Sequence, residues 1–205
     1  MNRITYSVRR RAILVCAGSA LLAGVLPSCT RETPKFTSVD ITGADYARDF
    51  ALTDHKGQPR SVRDFAGKIV AVFFGFAQCP EVCPTTMAEM AEVKKLLGPD
   101  GDKLQVIFIT VDPERDSAEV MKAYMANFDP TFIALLPSPA QLEAVAKDFK
   151  VFYKRVDGAS SGRYTMDHTA GTYIFDTKGR IRLFSLFGSG AQVVAADMRL
   201  LLKTS

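Results

Sequence analysis

Two cysteines separated by three residues form the part of the sequence best suited to chemistry. Cys79 and Cys83 stand in residues 79–84 (CPEVCP). A deprotonated cysteine is a nucleophile and a soft metal ligand. A loop with three intervening residues can bring both sulfurs together, either bonded to each other or converging on one ion. A disulfide closing so short a loop would add little stability, so chemistry is the better explanation for the pair.

The elements around the cysteines favour ionised sulfur. Residues 69–77 (IVAVFFGFA) form a continuous apolar run, which is typical of a strand buried on both faces. Residues 85–97 have helical spacing of apolar side chains. The cysteines therefore lie where a strand gives way to a helix, and the positive end of that helix favours thiolate over thiol. Pro80 and Pro84 stiffen the loop, and Pro84 suits a first helical turn.

A third ligand would have to come from elsewhere in the chain. His168 stands in residues 166–171 (MDHTAG), directly before a predicted strand at 172–176. Imidazole together with two thiolates suits copper, or zinc. His168 is therefore a candidate ligand, and a solvated loop histidine is the alternative. His55 is the weaker candidate, because it lies at a polar hairpin tip and is expected to be exposed.

The remaining elements predict an α/β fold. A first hairpin joins residues 49–53 and 58–62, and a second joins 172–176 and 180–187. Strands or extended segments are predicted at 104–111, 132–136 and 151–156, a loop at 158–162, and helices at 117–128, 139–149 and 191–202. Strands that alternate with helices before a final hairpin indicate a mixed central sheet flanked by helices. This order fits a thioredoxin-like fold with an extra N-terminal β-hairpin.

Composition and charge restrict the class of protein. The chain has 205 residues, 47% hydrophobic and 23% charged, which suits one globular domain. Its net charge is +4, but residues 1–28 hold four arginines and no acid. The rest carries 22 basic and 22 acidic residues, so nothing indicates a nucleic-acid partner.

The first 28 residues are predicted to be an export signal or membrane anchor. A basic start leads into sixteen uncharged residues, fewer than the roughly 20 that span a membrane. Residues 26–29 (LPSC) resemble a bacterial lipobox, which makes Cys29 the candidate lipidation site; an uncleaved anchor is the alternative. Residues 29–44 are then a tether and 45–205 the folded domain. We expect that domain to be exported to the periplasmic side of a bacterial membrane and tethered there.

Three motifs in order resemble one family over about residues 40–203. Residues 74–86 (FGFAQCPEVCPTT) are similar to the CPxxCP region of the SCO/SenC family, and 111–116 (VDPERD) to its DPxRD segment. Residues 167–169 (DHT) resemble its distal histidine loop. Members are membrane-tethered, thioredoxin-like copper proteins. The resemblance implies that Cys79, Cys83 and His168 bind Cu(I) or Cu(II), and that the two cysteines form a redox-active disulfide. Glu81 stands where the family more often has Asp.

The resemblance also implies a function and partners. The expected function is that of a copper metallochaperone, not an enzyme, which delivers copper to the binuclear site of cytochrome c oxidase. Expected partners are the copper-bearing oxidase subunit, another periplasmic copper donor and a thioredoxin-like reductant. The alternative is a tethered thiol–disulfide oxidoreductase that reduces the cysteines of the oxidase copper site.

Local features separate these functions. The C-x3-C spacing, and the absence of proline from residues 168–171, favour metal binding over disulfide exchange. A peroxidase would need an activated cysteine with nearby Thr and Arg, and no such local motif is evident. A zinc hydrolase would need a general base, and the loop offers only Glu81, so this function is also disfavoured. Asp112 is interpreted as a turn residue at the end of a strand, and residues 114–116 are interpreted as solvated surface. Met166 lies near His168 but is not expected to bind a metal ion.

Overall fold

The computed structural model describes residues 34–158 and 163–205. The predicted export signal, Cys29 and most of the loop 158–162 lie outside the described residues. The ten strands of the described ranges are β1 (Val39–Asp40), β2 (Leu52–Thr53), β3 (Pro59–Arg60), β4 (Ile69–Gly75), β5 (Leu104–Thr110), β6 (Ile133–Leu135), β7 (Tyr153–Asp157), β8 (Tyr164–His168), β9 (Gly171–Phe175) and β10 (Ile181–Leu186). Their four α-helices are α1 (Val82–Leu97), α2 (Ala118–Ala126), α3 (Pro139–Phe149) and α4 (Ala191–Thr204).

A six-stranded sheet forms the centre of the fold, in the order β1-β10-β9-β4-β5-β6. β4 pairs in parallel with β5, and β5 with β6, whereas β9 runs antiparallel to both β4 and β10. Every residue of β4 and β5 is buried, as their predominantly apolar sequences favour. The mixed sheet confirms the predicted α/β class.

The predicted N-terminal hairpin is present as β2 and β3, but its tip is not exposed. His55 is only 8% exposed, and its Nδ1 accepts a hydrogen bond from the Ala134 N–H at 3.1 Å. The backbone N–H of His55 in turn donates to the backbone carbonyl of Ala134 at 2.9 Å. The predicted exposure of His55 was therefore wrong, because the hairpin tip docks against β6 and extends the edge of the sheet.

α1 begins at Val82, three residues earlier than predicted, so Cys83 lies in its first turn. Proline needs no N–H partner in a first helical turn, and Pro84 is accommodated there. α2 begins after Ser117, which is its N-cap: the Ser117 hydroxyl accepts a hydrogen bond from the Val120 N–H. The bounds of α3 agree with the prediction.

β7 and β8 form a separate antiparallel hairpin, in which Tyr153 pairs with His168. Sequence analysis placed His168 in a loop, but it is the last residue of β8. Burial alternates along β8, so Tyr164, Met166 and His168 share the less exposed face. The strand was missed because its polar residues give no strong apolar pattern.

The sheet also uses residues that were predicted as tether. Val39 pairs with Phe184 of β10, so the ordered fold begins before residue 45. No helix within the two described ranges combines the length and the apolar character needed to cross a membrane.

Candidate metal centre

Three potential ligand groups converge at one end of the fold. Ligand atoms of Cys79, Cys83 and His168 all lie within 4.8 Å of one another, and Cys83 Sγ is 3.6 Å from His168 Nε2. Ligand bonds of about 2.0–2.3 Å would set the donors of a trigonal site about 4 Å apart. Both cysteines are free thiols. The three side chains could therefore hold a metal ion after small adjustments.

The turn between β4 and α1 determines the environment of the sulfurs. Cys83 is fully buried and Cys79 is half-buried. The side chain of Glu81, the N-cap residue of α1, accepts no hydrogen bond from the first turn, so the N–H groups there are available to the cysteine sulfur. The Cys83 N–H donates to Cys79 Sγ at 3.4 Å. The positive end of the helix thus points at Cys79 and stabilises a thiolate there.

The two thiols hold their protons very differently. A hydrogen bond from the Cys83 thiol lowers the pKa of Cys79 to about 4, against the opposing effect of burial. The same hydrogen bond raises the pKa of Cys83, and burial raises it further. Near neutral pH the pair is therefore one thiolate, at Cys79, next to one thiol.

His168 presents one particular ring nitrogen to the cysteines. Its Nδ1 lies 3.1 Å from the Thr169 carbonyl oxygen, and because a carbonyl only accepts, Nδ1 carries the proton of this bond. The lone pair of Nε2 is then directed at Cys83. The imidazole stands edge-on to the rings of Phe73 and Phe76, with centroid distances of 5.9 and 6.0 Å. This arrangement prepares Nε2 to act as a ligand.

A cleft of about 340 Å³ opens beside Cys79 and His168. Phe76, Val82 and Met166 give it apolar walls, and Glu81 and Asp167 contribute carboxylates. An ion held by the cysteines and His168 would be reachable from this side. His55, bonded to Ala134 on β6, does not take part in the group.

A buried carboxylate supports the cysteine turn from behind. Asp116 is 3% exposed and accepts hydrogen bonds from the Thr110 hydroxyl at 2.6 Å and the Ala77 N–H at 3.1 Å. Burial raises its pKa, although these two hydrogen bonds oppose the shift. The interpretation of residues 114–116 as solvated surface was therefore wrong for Asp116, which holds the chain two residues before Cys79.

Asp112 and Arg115 are also drawn into the interior. Asp112 is 3% exposed, accepts from the Tyr164 hydroxyl at 2.9 Å and forms an ion pair with Arg115. The Asp116 N–H donates to the Asp112 carbonyl at 3.0 Å, as the predicted turn requires. Arg115, which was predicted to be solvated, exposes 20% of its side chain. Sequence reasoning did not single out Tyr164, although its place four residues before His168 in a strand puts both on one face.

Comparison with known proteins identifies the relatives of the chain. A family model described as SCO1/SenC matches residues 39–203. The SCO2-like protein of Rickettsia felis is 33% identical over 187 residues, which cover 89% of this chain and 90% of the relative.

Solved structures show the same fold. ScoI from Bradyrhizobium japonicum, a structure with copper bound, is 39% identical; the match covers 75% of this chain and 97% of that chain, with a TM-score of 0.68. Apo Sco1 from Thermus thermophilus is 33% identical; the match covers 84% and 98%, with a TM-score of 0.71. These similarities confirm the predicted thioredoxin-like fold.

Proposed function

The chain belongs to the SCO1/SenC family, and on that premise we propose that it is a copper metallochaperone for cytochrome c oxidase. The observation that carries the proposal is the convergence of Cys79, Cys83 and His168 within 4.8 Å beside an open cleft. Two thiolates and an imidazole form a soft donor set that suits copper. Copper is bound in the structure of the 39% identical ScoI from Bradyrhizobium japonicum, which supports copper as the cargo.

The three candidate ligands contribute differently to metal binding. Cys79 offers a thiolate already formed, whereas Cys83 must give up its proton when the ion arrives. His168 adds neutral nitrogen through Nε2. The two thiolates are sufficient to bind Cu(I), and the imidazole adds the third donor that Cu(II) requires. The ion then passes to its acceptor through the cleft, and the protein acts as a carrier rather than as an enzyme.

The acceptor is the copper-bearing subunit of the oxidase, at its binuclear copper site. Another periplasmic copper donor loads the carrier, and a thioredoxin-like reductant keeps Cys79 and Cys83 reduced. Residues 1–28 export the chain or anchor it, Cys29 takes the lipid, and the segment between Cys29 and β1 connects the membrane to the folded domain on the periplasmic side. The basic start, the apolar run and the LPSC segment support this placement.

The low pKa of Cys79 favours a second candidate function, reduction of the acceptor's cysteines. The Cys79 thiolate would attack the acceptor disulfide, forming a mixed disulfide and releasing one acceptor thiolate. Cys83, after losing its proton, would then attack Cys79 Sγ and release the second acceptor thiolate. The products are a Cys79–Cys83 disulfide and a reduced acceptor, so two electrons are transferred.

A transfer assay separates the two functions. The copper-loaded protein is mixed with the copper-free, reduced acceptor domain of the oxidase subunit, and the absorption and EPR spectra of the binuclear site are followed. The chaperone function predicts that wild-type protein builds the acceptor site and that the His168→Ala variant does not. Failure of the wild-type protein to transfer copper, together with reduction of a disulfide-bonded acceptor by both proteins, would favour the oxidoreductase instead.

A further inference from the structure

The ligands of the proposed centre come from two separate pieces of structure. Cys79 and Cys83 lie in the turn between β4 and α1, whereas His168 ends β8. Within the described residues, β7 and β8 pair only with each other and not with the central sheet. The hairpin joins the central sheet through β9, three residues after His168. Because a two-stranded hairpin has little stability of its own, side-chain contacts are needed to hold the rest of β8 against the cysteine turn.

Arg115 contacts both pieces at once. Its Nη1 donates to the Gln78 side-chain oxygen at 3.1 Å and to the Tyr164 carbonyl at 3.0 Å. Gln78 immediately precedes Cys79, and Tyr164 lies on the same face of β8 as His168. One guanidinium nitrogen therefore joins the cysteine turn to the histidine strand.

The guanidinium is itself held in a fixed orientation. Its Cζ lies 3.5 Å from the centre of the Tyr164 ring, and its Nε forms an ion pair with Asp112. The Tyr164 hydroxyl donates to the other oxygen of Asp112 at 2.9 Å. Each of the three side chains of Arg115, Tyr164 and Asp112 thus contacts the other two. A lysine at position 115 could not reproduce the planar, stacked geometry of the guanidinium.

One further atom argues against a purely stabilising role. Arg115 Nη2 is buried and has no hydrogen-bond acceptor among the residues that the structure describes. A buried donor without an acceptor lowers stability. The orientation of Arg115 therefore lowers the stability of the fold, and the contacts to Gln78 and Tyr164 that it permits are its explanation.

We propose that Arg115 is a positioning residue that couples the cysteine turn to His168 and so holds the three donors together. The role rests on the proposed function, because the donors are taken as copper ligands. Residues that orient metal ligands typically change metal affinity by about 10–100-fold when they are removed. Arg115 acts through Gln78 and Tyr164 and does not itself touch the ion.

Arg155 provides a matched control. Its Cζ lies 3.8 Å from the centre of the same Tyr164 ring, so it also stacks on that side chain. Its ion pairs are with Asp157 at 3.0 Å and Glu114 at 3.6 Å, not with the cysteine turn. Arg155→Gln therefore removes a stacked guanidinium without removing a link to the cysteines.

The test compares wild-type full-length protein with Arg115→Gln, Arg155→Gln and His168→Ala. In the reduced, metal-free protein, NMR measures nuclear Overhauser effects between the His168 ring and the rings of Phe73 and Phe76. Copper titration then measures the Cu(I) stoichiometry, the Cu(II) affinity and the Cu(II) EPR spectrum. Circular dichroism monitors folding and Tm.

For Arg115→Gln we expect loss of these Overhauser effects and an EPR spectrum shifted toward that of His168→Ala. Its Cu(II) affinity should fall by about 10–100-fold. Its Cu(I) stoichiometry should stay at one, because both thiolates remain. Arg155→Gln should match the wild type in all of these measurements.

Retention of the Overhauser effects and of the wild-type EPR spectrum in folded Arg115→Gln would overturn the proposal, even if its Tm fell. If Arg115→Gln does not fold, Arg115→Lys decides by the same two measurements, since it keeps a positive charge beside Asp112 but removes the planar guanidinium that joins Gln78 to Tyr164. Wild-type behaviour of that variant would again overturn the proposal. Absence of copper binding by wild-type protein would refute the proposed function, while the metal-free NMR would still decide whether Arg115 positions His168.

Discussion

Cys79 and Cys83 differ in protonation although they lie within one turn of the chain. The buried Cys83 keeps its proton and donates it in a hydrogen bond, which holds the Cys79 sulfur as a thiolate. An incoming soft metal ion can therefore bind the Cys79 thiolate directly, whereas Cys83 must first lose its proton. The same asymmetry would make Cys79 the attacking sulfur in disulfide exchange.

The lowered pKa of Cys79 predicts an unusual pH dependence of alkylation. Since that pKa is about 4, the thiolate predominates at pH 5 and above and is lost only as pH falls through about 4. The rate of iodoacetamide labelling at Cys79, followed by mass spectrometry of the reduced domain, should therefore be nearly constant from pH 5 to 8. The buried Cys83 should remain unlabelled.

Cys83→Ala is the control for this mechanism. It removes the hydrogen-bond donor, so the pKa of Cys79 should rise and labelling at pH 6 should slow by at least about tenfold. A wild-type rate that instead increased about tenfold with each pH unit from 5 to 8 would contradict the assignment of the thiolate to Cys79.

The end of β4 must leave room for the Cys83 sulfur. A Cβ added at Gly75 would lie 2.7 Å from Cys83 Sγ, 2.8 Å from the Phe73 ring and 2.9 Å from the Phe108 ring. All three neighbours belong to the packed core, so they cannot all move away without loss. The absence of a side chain at Gly75 thus determines where the sulfur can stand.

Gly75→Ala is expected to lower the free energy of unfolding by about 1–3 kcal/mol through overpacking, and also to weaken copper binding by displacing Cys83. Urea unfolding and copper titration measure the two effects. Gly57→Ala is the control: its φ of +79° makes a side chain unfavourable, but a Cβ there meets no atom within 4 Å. It should lose stability without losing copper affinity. Equal copper affinity in Gly75→Ala and wild type would refute the steric argument.

Sequence patterns were sufficient for the elements whose burial is uniform or strongly periodic. The strands β4 and β5, the helix α3 and the turn that carries the cysteines were predicted from the sequence pattern, and the structure contains all of them. The residues alone left His168 as a candidate ligand, with a solvated loop histidine as the alternative, and the structure places its ring beside the cysteines.

Contacts between distant segments could not be read in the same way. β8 is polar and half-exposed, so it gives no clear strand signal. Arg115 and Asp116 are charged residues of the kind usually found on the surface, but Arg115 is half-buried against the Tyr164 carbonyl and Asp116 is buried beside the Thr110 hydroxyl. His55 is buried by Ala134, 79 residues away. Local composition carries no information about such partners.

The two ends of the folded unit are joined to each other. Asp197 on α4 is buried, and its carboxylate accepts hydrogen bonds from the N–H groups of Thr37 at 3.0 Å and Ser38 at 2.8 Å. These bonds span about 160 residues of sequence and lead directly into β1. The C-terminal helix therefore holds residues that were predicted to belong to the membrane tether.

Asp197→Ala should lower the free energy of unfolding by about 1–3 kcal/mol, because two N–H groups lose their buried acceptor. Urea unfolding of the domain measures the loss. Asp40→Ala is the control, since the exposed Asp40 accepts a similar backbone bond from Thr42 at 2.9 Å. Its effect should stay within about 0.5 kcal/mol. Equal effects of the two substitutions would show that Asp197 does not secure the N-terminal segment.

The most direct test of the proposed centre is copper titration of the reduced domain, residues 34–205, which form one compact unit. Wild type and His168→Ala are titrated in parallel and examined by absorption and EPR. We expect one copper per chain in the wild type, with thiolate-to-Cu(II) charge transfer that is lost or reshaped in the variant. No stoichiometric copper, or identical stoichiometry, affinity and spectra in the two proteins, would contradict a centre built from Cys79, Cys83 and His168.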